Sequence, residues 1–256
     1  MEIPLYLAMT AAEFHAAQAL PTKPAWMACH FSPYGTGLSN IPQTLPPGAM
    51  LMLNDRIPLC GHDPQSVAQT LCDTAKALEC DCILLDLQRK PCDGCMNVIR
   101  AVLKQAGCPV GVSALYAKEL DCPVLLPPIP PHRAPKEALA EWAGREIWLE
   151  LSAEGTEIEV TEQGSRYTPL PGFQVPSDSH AEEELLCHYK IITEEDRILF
   201  QIGRTPEDQA ALIQAAIGCG VTKAVGLWQE KSLLQTQQAQ EILDQPKASS
   251  ASLKAP

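Results

Sequence analysis

The chain has 256 residues, enough for one barrel-sized domain or two small ones. Apolar residues make up 46% and charged residues 20%, which excludes a disordered chain; aromatics at 5% leave the core to Leu, Ile, Val, Ala and Met. A net charge of -12, with no basic cluster longer than Arg89-Lys90, argues against nucleic acid or an anionic membrane surface as a partner.

No segment approaches the ~18 consecutive apolar residues of a membrane span. Met1-Glu2-Ile3-Pro4 has no basic leader, so a cytoplasmic chain is expected, with its 11 cysteines reduced rather than paired.

Apolar runs predict strands at Pro4–Ala8, Ala25–His30, Ala49–Asn54, Cys82–Leu87, Pro109–Ser113, Pro123–Leu126, Glu146–Leu151 and Ala224–Trp228. Several are almost continuously apolar, as parallel strands covered on both faces should be. Helices are expected from Asp63-Pro64 through Leu78, from Met96 to Gln105, and after Thr205-Pro206-Glu207-Asp208. The last has an N-cap hydroxyl, a proline at the first helical position and two carboxylates at the positive end of the dipole. The proline-rich stretch from Pro123 to Pro135 should be stiff and carry no helix at first. Glu146 to Gly203 reads as antiparallel strands: Thr156–Thr161 alternates, Gln163-Gly164 turns, and Leu186–Ile192 and Arg197–Ile202 flank the acidic turn Thr193–Asp196. The expected fold is α/β, a (β/α)8 TIM-type barrel over residues 1–244. A β-rich insertion at about 152–203 falls between strands seven and eight, and a flexible tail covers 245–256.

The fourth strand is the most informative. Asp81-Cys82-Ile83-Leu84-Leu85-Asp86-Leu87-Gln88 ends at the carboxyl rim, where barrels place their active sites. Strand alternation puts Asp86 and Gln88 on one side, pointing into the mouth. This segment resembles the Asp-Gly-x-Asp-x-Asp-x-Glu motif of the chitinase-like family 18 glycoside hydrolases. Asp81 matches the first aspartate and Asp86 the last, while Leu84 stands at the middle one. Val225-Gly226-Leu227-Trp228 is similar to the family's last strand, whose tryptophan lies under the sugar. The resemblance spans most of residues 1–232 and is topological more than motif-specific.

The departures bear on activity. Gln88 falls where the family's catalytic glutamate belongs, and an amide has no proton to give at neutral pH. Pro127-Pro128 occupies the region where the family offers Met-Tyr-Asp. The resemblance therefore implies a catalytically degenerate barrel binding a glycan or other small molecule at its rim. Two other readings stay open. One is an active glycoside hydrolase using Asp86 with Glu150 or Asp55. The other is a non-catalytic scaffold that meets partners through the acidic hairpin around Glu194-Glu195-Asp196.

Further ligand-binding candidates are Asn54, Asp55, Tyr116, Glu150 and Trp228. Asn54-Asp55-Arg56 ends the third strand, and an internal Asp–Arg pair shaping the loop is preferred there over ligand contact. Glu150 ends the seventh strand opposite Asp86, with a surface or hairpin position preferred. Tyr34, Tyr116 and Trp228 could offer stacking faces, and a core role for Trp228 is equally open. His30 and His132 follow strands and could line the mouth, and 31–37 could form a lid, although ordinary loop positions suit all three. Cys80-x-Cys82 and Cys92-x-x-Cys95 suggest zinc, but a six-residue strand of ~20 Å separates the pairs. Cys92 and Cys95 alone could be a redox dithiol, without a thioredoxin-like setting. No metal and no cofactor are expected.

Overall fold

A computed structural model of the protein describes residues 3–8, 27–31, 37–39, 41, 45, 48–55 and 58–227. Residues 32–36 with Tyr34, Arg56, Trp228 and the 245–256 tail lie outside the described residues.

In chain order the first strands are β1 (Leu5–Ala8), β2 (Met27–Phe31), β3 (Leu38–Ser39) and β4 (Met50–Asn54). Helix α1 (Pro64–Ala77), β5 (Cys82–Asp86), α2 (Asp93–Gln105), β6 (Val110–Ser113), the single turn α3 (Ala114–Ala117), β7 (Val124–Leu126), α4 (Pro135–Ala140) and β8 (Ile147–Leu151) follow. Then come β9 (Gly155–Thr161), β10 (Gly164–Leu170), β11 (His180–Glu182), β12 (Cys187–Thr193), β13 (Ile198–Gly203), α5 (Pro206–Ile217) and β14 (Val221–Leu227). Each predicted strand has its counterpart, and the last begins earlier, at Val221.

The main sheet runs in the order β1-β14-β8-β7-β6-β5-β4-β2-β3, with every pair parallel except β2–β3. The first strand thus lies against the last, Leu5 beside Ala224 and Ala8 beside Leu227. Among the described residues β1 and β2 are not paired, so the sheet is a curled parallel sheet with helices between its strands. Strand alternation sorts its side chains. Ile83 and Leu85 join Val67 and Leu71 of α1 and Val98, Ile99 and Val102 of α2 in the main apolar cluster. Cys82, Leu84 and Asp86 therefore face the opposite, inner side of the curl. Trp148, fully buried, fills that interior, and it needs a glycine on β6. A Cβ at Gly111 would stand 2.3 Å from the Trp148 ring.

Helix ends follow sequence signals. Asp63 Oδ2 accepts from Ser66 N at 2.8 Å with Pro64 behind it, and α1 buries Val67, Ala68, Leu71 and Ala75. Thr205 and Asp208 form a reciprocal capping box on α5. Helix α2 begins three residues before the predicted Met96, because Cys92 is its N-cap. The turn α3 and the short α4 were not foreseen; α4 begins at Pro135, where the proline-rich stretch ends.

Between β8 and α5 a second sheet is wholly antiparallel, in the order β10-β9-β13-β12-β11. Buried Arg204 ties it to the proline-rich segment. Its guanidinium donates to the carbonyls of Ile129 at 2.5 Å and Pro130 at 3.4 Å, and to those of Leu185 and Leu186 at 3.3 and 3.0 Å. Burial pushes this arginine down to about 10. His132 packs against Tyr167 of β10, ring centroids 4.8 Å apart, rather than standing alone in a loop. No helix among the described residues is long and apolar enough to cross a membrane.

Candidate functional site at the carboxyl rim

Asp86 is the last residue of β5, and its register partner on β4 is Asn54, the last residue there. Ser113 ends β6 and is buried. Its hydroxyl donates to Leu85 O at 3.1 Å and accepts from Leu87 N at 2.8 Å, which fixes the backbone on both sides of Asp86. Glu150 comes from β8, beside Val225 of β14. A polar residue thus closes three apolar strands at one end, Asn54, Asp86 and Ser113, and Glu150 stands one residue before the end of β8. Ser113 was not singled out from sequence, although it repeats the signal that drew notice to Asp86.

The loop after β5 is held from below. Asp55, 6% exposed, accepts from Gln88 N at 3.1 Å and from Arg89 N at 2.7 Å through one carboxylate oxygen. Arg89 Nε donates to Asp55 O at 2.9 Å, and the Tyr116 hydroxyl donates to Arg89 O at 2.8 Å. Asp55 therefore shapes the 88–89 loop through backbone amides, and its expected pair with Arg56 falls outside the described residues. The ring of Tyr116 is buried in the apolar cluster, so here it anchors this loop. Gln88 itself is exposed, and its side-chain amide donates to Asp86 Oδ1.

Burial raises both carboxyl groups. Burial raises Asp86 above the usual aspartate range, and the nearby Asp55 adds to this. The Gln88 amide opposes it by stabilising the charge. Glu150 is pushed up to about 7, first by burial and then by the charge of Asp86. The position of Glu150 on a surface or hairpin is thus corrected: it sits in a buried strand, within the field of Asp86. Two buried carboxyl groups whose charges act on each other bind hydroxyls as donor and acceptor when one of them holds a proton.

On the same rim a cavity of about 250 Å³ lies between the proline-rich segment and the second sheet. Pro128, Pro130, Ser152, Glu154, Thr156 and Arg204 line it. The side chain of His30 lies outside what is described, as does Trp228.

No family model matches the chain, and no curated protein matches it. Solved structures do. The spore cortex-lytic enzyme SleL of Bacillus cereus is similar at a TM-score of 0.59 and 10% identity, over 93% of this chain and 74% of that one. The chitinase-like agglutinin of Robinia pseudoacacia is similar at 0.58 and 9%, over 94% and 100%. A Glu-to-Gln mutant of class V chitinase from Nicotiana tobaccum, in complex with NAG4, is similar at 0.59 and 9%, over 95% and 99%. At such identities the likeness shows the fold alone: this chain shares a mixed α/β fold with a curled parallel sheet with these chitinase-like structures.

Proposed function

We propose that the carboxyl rim of this sheet binds a carbohydrate through Asp86 and Gln88, in a ring closed by pairing of β1 with β2, and without the family 18 general acid. The observation that carries this reading is the bond from the Gln88 amide to the Asp86 carboxylate. It keeps Asp86 in place and oriented at the strand end while leaving Gln88 exposed. An amide there offers a donor and an acceptor to sugar hydroxyls but no transferable proton. The similar tobacco chitinase mutant, in which a glutamine replaces a glutamate, is in complex with NAG4, which supports a carbohydrate as the ligand by analogy. Trp228, immediately after β14, would supply a stacking face, and Asn54 a polar contact beside Asp86. A glycan array of chito-oligosaccharides and peptidoglycan fragments tests the reading. Binding to one of these classes is expected, and silence across both at millimolar ligand would refute it.

A second reading is favoured by Glu150, whose affinity for its proton is high enough to hold it near neutral pH. Paired with Asp86, Glu150 would serve as the acid and Asp86 as the carboxylate in glycoside hydrolysis. Chromogenic glycosides assayed with wild type, Asp86→Ala and Glu150→Gln decide this. Turnover abolished by either substitution supports it, and turnover indifferent to both removes it.

A further inference from the structure

Three cysteines from two elements converge in the segments that follow β4 and β5. Cys60 lies in a single 3-10 turn, Leu59–Gly61, while Cys92 and Cys95 open α2. Their sulfurs all lie within 4.8 Å of one another. Cys92 Sγ accepts from Cys95 N at 3.5 Å, so the first thiol also caps the helix. Cys60 and Cys92 are exposed and Cys95 is buried, and all three are free.

The approach of the third cysteine depends on Gly94. A Cβ there would stand 2.9 Å from Cys60 Cβ and 3.0 Å from its Cα and carbonyl oxygen. The glycine inside Cys92-Asp93-Gly94-Cys95 is therefore what lets the 3-10 turn rest on the helix start. Sequence spacing could not show this, because Cys60 belongs to a different loop.

We propose that Cys60, Cys92 and Cys95 bind one zinc ion as thiolates, with the fourth coordination position open towards solvent. Tetrahedral Zn–S bonds of about 2.3 Å place sulfurs about 3.8 Å apart, so these three need to close by about 1 Å at most. Cys60 and Cys92 are exposed, which leaves their side chains room to turn. The helix N-terminus favours negative sulfur. Binding as thiolates releases the thiol protons, so the affinity should rise with pH. A Cys92–Cys95 disulfide would use two of the sulfurs and leave the seated third one unexplained. Zinc would also fix Cys92, at the far end of the loop that begins at Gln88.

The test uses the full chain, reduced and metal-free, titrated with zinc against a chromogenic chelator and with cobalt for thiolate charge-transfer absorption. One metal per chain is expected. Cys60→Ser and Cys92→Ser should each weaken binding at least tenfold and reduce the charge-transfer intensity, while Cys80→Ser changes neither. Circular dichroism of the exposed-site variants confirms that they fold. Absence of zinc binding to the reduced wild type overturns the proposal. So does unchanged affinity and absorption in Cys60→Ser, which would mark the pair Cys92–Cys95 as a dithiol alone.

Discussion

Asp86 and Glu150 reach the same rim from β5 and β8, and the charge of Asp86 helps hold the Glu150 proton up to about 7. Removing that charge should release the proton at lower pH. Asp86→Asn is expected to bring Glu150 down towards, but not to, the ordinary 4.5, since burial is the larger cause. Carbon-detected NMR titration of the glutamate carboxyls measures this, and an unmoved Glu150 would show the two groups to be uncoupled.

The same residue makes stability depend on pH. Glu150 binds its proton more tightly folded than unfolded, so its contribution is most favourable below the unfolded value and is lost as pH rises through about 7. The span corresponds to a loss of about 3 kcal/mol between acid and alkaline limits, from 1.36 kcal/mol per pKa unit. Glu150→Gln should remove this part of the dependence and be more stable than wild type at pH 8 relative to pH 5. Urea denaturation at both pH values checks the sign.

Gly111→Ala should destabilise by about 1–3 kcal/mol or more, because the new methyl meets the buried Trp148 ring at 2.3 Å with no flexible neighbour to yield. Tryptophan emission should shift as the ring is displaced. Wild-type stability with unchanged emission would mean that the interior of the curl is less filled than described.

Asp55→Ala leaves the Gln88 and Arg89 amides without their acceptor, at a cost of about 1–3 kcal/mol. Hydrogen exchange at those two amides should quicken more than elsewhere in the main sheet. If carbohydrate binds through Gln88, affinity should fall with it.

The eight parallel strands were legible because strands covered on both faces must be apolar almost throughout, and runs such as Met50–Leu53 and Cys82–Leu85 leave little else to be. The capping residues Asp63 and Thr205 marked two helices for equally local reasons. The turn α3 and the short α4 carry too few residues for a period to emerge. Glu150 was misjudged for a different reason. A carboxylate near a strand end ordinarily faces water, and only the neighbouring strands and Asp86 show why this one holds its proton. Cys60 was invisible beside Cys92 and Cys95 because the contact is tertiary and rests on Gly94.

The central claim is that Asp86 and Gln88 contact a carbohydrate. Calorimetric titration of a chito-oligosaccharide into wild type and folded Asp86→Ala tests it most directly. The account predicts saturable heat with wild type and an affinity at least tenfold weaker in the variant, the size expected for losing one charged hydrogen-bond partner of about 1.5–3 kcal/mol. Equal affinities in the two proteins would contradict it.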